Sequence, residues 1–280
     1  EKFGTNARVS IRVNPDIDPK THPYISTGLK TSKFGIAIED SLDAYIAASK
    51  MNNIKVVGID AHIGSQIFDL QPFEDSLARL ENLYYKLNDL GINIEYIDIG
   101  GGLGIKYKDN DAPPTKADFA SKIIKIMKNI NCNLILEPGR SLVGNAGYLI
   151  TKVVYEKKSN KKNFLIVDAG MNDILRPSLY SAYHKISKSI PSLDNKKVYD
   201  IVGPICETGD VLSYDAALND IKLGENLVIH SAGAYGSVMS SNYNSRPKVP
   251  EVLVSGKNAN IIRKKETIDQ ILQNEVVIDD

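Results

Sequence analysis

The sequence predicts an α/β plus all-β chain: the C-terminal half of a (β/α)8 TIM-type barrel over residues 1–143, then a mainly antiparallel β domain over 144–280. Three observations predict it. Strand-like and helix-like runs alternate up to Arg140, and repeated β-α units of this length imply a parallel sheet. Three of the strands end in glycine-rich or charged tips, and a β/α barrel carries its site at the C-terminal ends of its strands. Beyond Gly144 helical periodicity gives way to short strands separated by Gly, Asn and Lys clusters.

Val9–Asn14 alternates as a strand and Pro15-Asp16 ends it. Asp18–Gly35, rich in Pro, Thr, Ser and Gly, reads as a loop. Asp40 or Ser41 caps a helix with Leu42, Tyr45 and Ile46 on its apolar face. Lys55–Ala61 is the second strand, tipped by His62-Ile63-Gly64-Ser65-Gln66. Phe73, Leu77, Leu80, Tyr84 and Leu87 then recur at helical spacing until Gly91 stops the helix. The third strand, Ile94–Ile99, runs into Gly100-Gly101-Gly102-Leu103-Gly104. Thr115 and Asp118 form a capping box for a helix with Phe119, Ile123, Ile126 and Ile130 on one face. The fourth strand, Leu134–Leu136, reads as buried on both sides and ends in Glu137-Pro138-Gly139-Arg140. Pro138 fixes φ and Gly139 frees it, so the chain turns at a carboxylate and a guanidinium.

A closed barrel needs eight strands and roughly 250 residues. The four strands read here leave half a barrel expected upstream of Glu1; an open doubly wound sheet is the alternative. In the second domain, strands are predicted at Tyr148–Tyr155, Phe164–Val167, Val198–Val202, Leu227–His230, Val252–Val254 and Asn260–Arg263, with a terminal helix near Glu266–Leu272.

Composition excludes several functions. The 280 residues are 42% hydrophobic, enough for a large core, and the formal net charge of zero offers no footprint for nucleic acid or an anionic membrane. No apolar run approaches the roughly 18 residues of a membrane span. Cys132 and Cys206 form no C-x-x-C pair, which fits a reducing, cytoplasmic setting. The histidines His22, His62, His184 and His230 lack metal-ligand spacing, so no metal is expected. Glu1-Lys2-Phe3 is neither a start nor a signal peptide, and the chain is expected to begin in mid-protein.

Several constellations can carry chemistry. The amides of Gly100–Gly104 can wrap a phosphate or simply make a tight turn; no Gly-Lys-Ser/Thr follows, and the third glycine of a dinucleotide fingerprint is absent. His62, with Ser65 three residues on, reads as a site residue or as a satisfied core histidine. Cys206-Glu207-Thr208-Gly209-Asp210 pairs a thiol proton donor with a carboxylate, or is a structural turn. Arg176 and Tyr180 can grip a carboxylate. Tyr235 lies in a small-residue loop, Ala232–Gly236, fit for a ligand.

Together these segments resemble the diaminopimelate decarboxylases, pyridoxal-phosphate enzymes of the alanine-racemase-like fold. The matching pieces are His62–Gln66, Gly100–Gly104, Glu137–Arg140, Met171-Asn172-Asp173 through Arg176–Tyr180, Cys206–Asp210 and Ala232–Gly236, in order over nearly all of the chain. The resemblance implies that His62 stacks on the cofactor ring, and that Ser65, Gly100, Gly101, Gly102, the Pro138-Gly139-Arg140 turn and Tyr235 hold its phosphate. Glu137 would pair with the pyridine nitrogen and keep it protonated, which suits decarboxylation; racemases of this fold place an arginine there. Arg140, Arg176, Tyr180 and Tyr235 would meet the substrate. Cys206 would return a proton to Cα, and Glu207 would hold the distal amino group, both reaching into a partner's site across a homodimer.

The implied reaction is conversion of meso-2,6-diaminopimelate to L-lysine and carbon dioxide. Related decarboxylases acting on carboxynorspermidine, arginine or ornithine are the alternatives, as is a silent homologue that only dimerises with an active relative. No segment matches the family's Schiff-base lysine, which lies on an early barrel strand. The chain is therefore expected to be the C-terminal two-thirds of the family's length and inactive in isolation.

Overall fold

The computed structural model describes residues 2–19, 27–28, 32–160, 162–191 and 195–278. His22 and most of the loop predicted over 18–35 lie outside the described residues. The chain divides into two units, Glu1–Leu142 and Val143–Asp280.

In the first unit β1 (Ala7–Asn14), β2 (Ile36–Ala37), β3 (Ile54–Asp60), β4 (Tyr96–Asp98) and β5 (Asn133–Ile135) form one parallel sheet ordered β2-β1-β3-β4-β5. β2 lies on one side of β1, and β3, β4 and β5 add in turn on the other. The helices are α1 (Ser41–Ser49), α2 (Gln71–Asp89), α3 (Lys116–Met127) and the single turn α4 (Arg140–Val143). α1 touches α2 and α2 touches α3, so these three lie on one face of the sheet. Helices on one face, beside strands that advance in chain order, make a barrel wall; a doubly wound sheet has helices on both faces. Among the described residues this wall is open, with β2 and β5 at its edges.

The helices form where the apolar spacing placed them. Phe73, Leu77, Leu80, Tyr84 and Leu87 are all buried on α2, and Phe73 meets Phe119 of α3 edge-on at 5.0 Å. Gly91, at φ +76°, takes the chain out of α2 through a left-handed residue. Both legs of the capping box at Thr115 and Asp118 are made. Ile130 is buried, but it follows the end of α3 instead of lying on it. Tyr45 of α1 is fully buried, its hydroxyl reaching the carbonyls of Ile11 and Gly58 at 3.1 Å each. Its phenol is pushed well above the ordinary value, chiefly by burial.

Two expectations for this unit are corrected. Neither Asp40 nor Ser41 caps α1: Asp40 makes no side-chain cap, and the Ser41 hydroxyl instead donates to the Ile38 carbonyl at 2.7 Å. The fourth predicted strand is not buried on both sides. Among the described residues β5 is the edge strand of the sheet, and Ile135 and Leu136 stand 39% and 42% exposed.

The second unit holds β6 (Leu149–Lys158), β7 (Asn163–Val167), α5 (Arg176–Tyr180), β8 (Ile186–Lys188), β9 (Lys196–Val202), β10 (Val211–Asn219) and β11 (Asn226–Ile229). A hairpin of β12 (Glu251–Ser255) and β13 (Asn258–Arg263) follows, and then α6 (Ile268–Leu272), capped by Thr267 and Gln270. The main sheet runs β10-β9-β7-β6-β11-β8. It is not wholly antiparallel, because β7 and β9 pair in parallel. Val153, Leu165, Val167, Tyr199, Ile201, Leu227 and Ile229 form its core. The sequence reading missed β8 and β10. β8 has three residues, and β10 changes register twice, which breaks its alternation. Among the described residues no helix is long and apolar enough to cross a membrane, and no group of side chains could hold a metal ion.

Candidate active site

In a parallel sheet every strand delivers its last residue to the same edge. Here the tips of β3, β4 and β5 meet through their own backbones. The Gly101 N–H donates to His62 Nδ1 at 3.2 Å, and the Glu137 N–H donates to the Gly100 carbonyl at 2.8 Å. His62, Gly101 and Glu137 therefore belong to one cluster. Glycine is what lets them approach. A Cβ on Gly100 would strike the His62 ring, and one on Gly101 would strike the Glu137 carbonyl oxygen. On Gly102, at φ +108°, it would strike the Gly64 carbonyl. Beyond these glycines, Ile67 and Leu103 bridge in parallel, and the Gln66 amide pairs with both backbone groups of Ile105.

Arg140 enters α4 directly after the β5 tip and is 6% exposed. Its Nε and Nη2 both donate to Ser65 Oγ at 3.1 Å, and Nη1 donates to the Tyr107 hydroxyl. The guanidinium thus holds Ser65 in place from behind. Tyr107 is a member of this cluster that the sequence reading missed; only its place just past the glycine run hinted at it. Gly139 meets nothing within 4 Å on its Cβ side and has no left-handed φ, so the turn does not require glycine at that position.

Charge is concentrated at these tips. Burial, then Asp98 and Glu137, push the Asp60 carboxyl up to about 6, with Arg12 pulling it down. Burial and the Arg12 guanidinium lower His62, against Asp98. His62 is therefore neutral at pH 7, and its Nδ1, which accepts from Gly101, leaves the proton on Nε2. The set is specific in its chemistry: a buried guanidinium beside a glycine run without side chains for an anion, a neutral imidazole for the face of a flat ring, and a carboxylate for a protonated ring nitrogen. That combination fits a phosphorylated heteroaromatic.

The second unit gathers the other candidate residues around Asp210. Its carboxylate, 3% exposed, accepts from the Met171 and Ile205 amides at 2.6 and 2.8 Å, while its carbonyl accepts from Gly203. A Cβ on Gly203 would occupy the place of that carboxylate. Burial raises Asp210 and, beside it, Asp173. The turn so closed presents Cys206 and Glu207 exposed. The Ser178 hydroxyl ties α5 to it through the Gly209 carbonyl at 2.7 Å. Arg176 is buried, with Nη1 on His184 Nε2 at 2.8 Å, so His184 carries its proton on Nδ1 and donates it to the His230 carbonyl. Tyr180 is half-buried at the end of α5. Tyr235 is 42% exposed and left-handed at φ +57°. A second residue missed in the sequence is Tyr243, whose hydroxyl donates to Glu207.

A family model described as "Pyridoxal-dependent decarboxylase, pyridoxal binding domain" matches residues 1–144. The chain is 51% identical over 272 residues to a diaminopimelate decarboxylase of Aquifex aeolicus, covering 97% of this chain and 65% of that protein. It is 50% identical to one from Neisseria meningitidis, covering 98% and 67%. Among solved structures, diaminopimelate decarboxylase from Helicobacter pylori complexed with L-lysine superposes with a TM-score of 0.93 at 43% identity, over 98% of this chain and 68% of that one. The chain thus spans about two thirds of the length of the relatives it matches.

Proposed function

The chain belongs to the diaminopimelate decarboxylases, a family of pyridoxal-dependent enzymes, and on that premise we propose that it converts meso-2,6-diaminopimelate to L-lysine and carbon dioxide with pyridoxal 5'-phosphate as cofactor. The observation that carries the reading is the meeting of His62, Gly101 and Glu137 at one edge of the sheet.

When bound, the cofactor supplies the electron sink that loss of carbon dioxide from an amino acid needs. This chain's residues do the rest. Gly100, Gly101 and Gly102 leave room for the phosphate by having no side chains, with Ser65 beside them, Arg140 as positive charge behind and the Pro138-Gly139 turn next to it; Tyr235 is assigned to the phosphate as well. Neutral His62 packs against the ring face without adding a competing charge. The Glu137 carboxylate holds the proton on the ring nitrogen, the protonation state in which the ring draws electrons best. Arg176 and Tyr180 take a substrate carboxylate. The Cys206 thiol returns a proton to Cα, and Glu207 holds the distal ammonium.

We place Cys206 and Glu207 in the neighbouring site of a homodimer. The two free thiols, Cys132 and Cys206, suit a reducing cytoplasm. Residues 1–143 serve as the cofactor-binding barrel portion, and 144–280 as the β domain.

The test is an assay of the whole protein that carries this sequence, supplied with pyridoxal phosphate, on meso-diaminopimelate and separately on ornithine, arginine and carboxynorspermidine; the 280-residue chain alone, in which no segment matches the Schiff-base lysine, is expected to turn over none of them. Lysine and carbon dioxide should form from the first alone, and Glu137→Gln should abolish the reaction. Turnover of another amino acid, or of none, overturns the proposal.

A further inference from the structure

We propose that Tyr243 is a positioning residue that fixes the Glu207 carboxylate to receive the distal ammonium, and thereby sets selectivity for that end of the substrate. This deepens the reading of Glu207 given above and rests on it.

The Tyr243 hydroxyl donates to Glu207 Oε2 at 2.8 Å, thirty-six residues along the chain. Both side chains are exposed, and an exposed glutamate otherwise samples several rotamers that must be given up when a ligand binds. The phenol removes that freedom beforehand. It occupies Oε2 and leaves Oε1 to meet a cation. Its hydrogen bond to Glu207 also pushes the Tyr243 phenol up, so it remains a donor at neutral pH.

The loop that presents Tyr243 is built for the purpose. Asn244 and Ser245 are successive non-glycine residues in the left-handed region, at φ +57° and +54°. Such a pair persists only where the surroundings hold it, and held strain of this kind gathers at functional sites. Here the holding contacts lie on both sides. The Ser241 N–H donates to the Asn172 carbonyl at 2.9 Å, and Arg246 Nη2 donates to the Asp168 carbonyl. Asn242 Nδ2 donates to the Arg246 carbonyl at 3.1 Å and to the Glu266 carboxylate, which also accepts from the Lys248 N–H at 2.9 Å. These bonds hold the residues on either side of Tyr243, through the backbone at Ser241, Arg246 and Lys248 and through the side chains of Asn242 and Arg246. The side chain they deliver makes its hydrogen bond to the carboxylate assigned to the substrate's far end.

Steady-state kinetics of Tyr243→Phe, Glu207→Gln and the double variant in the whole protein test this. Tyr243→Phe removes one hydrogen bond to a charged group, so KM for diaminopimelate should rise roughly fivefold or more with kcat nearly unchanged. The double variant should be no worse than Glu207→Gln alone, because the phenol acts through that carboxylate. Two competitive inhibitors separate positioning from general damage: L-lysine carries the distal ammonium, and 2-aminopimelate does not. Tyr243→Phe should weaken lysine and leave 2-aminopimelate unchanged. The ratio of the two inhibition constants within one variant is independent of how much of it folds. If Glu207→Gln raises KM and Tyr243→Phe does not, the positioning role is overturned and the assignment of Glu207 stands. If Glu207→Gln leaves KM untouched, that assignment falls and takes the inference with it. Equal weakening of both inhibitors, or an added loss in the double variant, also overturns it.

Discussion

The two units carry their polar clusters in different ways. In the first, β3, β4 and β5 are neighbours both in the chain and in the sheet, so their tips fall side by side in the order in which they are written. In the second, the order β10-β9-β7-β6-β11-β8 scatters the chain, and segments near 171, 205 and 243 are brought together by one buried carboxylate and a web of loop bonds. A cluster built on strand tips tolerates losing a polar contact, because ladder hydrogen bonds still aim the tips. A cluster built on one carboxylate does not.

The largest effect should therefore follow Asp210→Ala. It orphans the buried amides of Met171 and Ile205 and empties the space against Gly203. The expected cost is about 2–4 kcal/mol, read in denaturant unfolding and in faster hydrogen exchange of β7 and β9. Exchange in β3 and β4 should hardly change. A loss of protection spread evenly over both units would mean that the two clusters are held in the same way.

Next is Gly101→Ala against Gly139→Ala. The first drives a methyl into the Glu137 carbonyl, a backbone atom that cannot swing aside, while the second points into open space. Overpacking of this kind costs about 1–3 kcal/mol, so Gly101→Ala should weaken pyridoxal phosphate binding about tenfold. Gly139→Ala should change neither binding nor melting by more than about 0.5 kcal/mol. Equal losses in an absorbance titration would mean that tip packing is not what shapes the first unit's site.

This contrast also explains what could be read without coordinates. Periodicity at Phe73, Leu77, Leu80, Tyr84 and Leu87 located α2, and a polar tip after each apolar run located the cluster, because both are local in sequence. The exposure of Ile135 and Leu136 was hidden, since an edge strand and a central one can have the same composition. The Ser41 cap failed because an equally local competitor, the Ile38 carbonyl, took its hydroxyl. β10 escaped because its bulges, with Asp215 left-handed at φ +49°, destroy the alternation that marks a strand. Tyr107 and Tyr243 act on residues 33 and 36 positions away, a distance over which side-chain pairing leaves no periodic trace.

The smallest effect is the one whose sign is most informative. An unfolded aspartate titrates near 4, whereas Asp60 in the folded chain titrates at about 6, chiefly from burial and then from Asp98. Through that window the folded state holds more protons than the unfolded one, so stability falls as pH rises from about 4 to about 6, and the penalty is fully present above 6. Asp60→Asn removes the charge and with it the penalty. The variant should melt higher than the parent at pH 7.5, by roughly 2–4 °C after allowing for solvent screening of a half-buried group, and should gain nothing at pH 3.5. An equal gain at both pH values would show that packing, not charge, is responsible. The same crowding of Asp60, Asp98 and Glu137 that destabilises the tips favours any protonated ring nitrogen brought among them, so this variant should bind pyridoxal phosphate less well while folding more stably. Gains in both stability and affinity would mean that the carboxylates at the tips are not there to meet a cation.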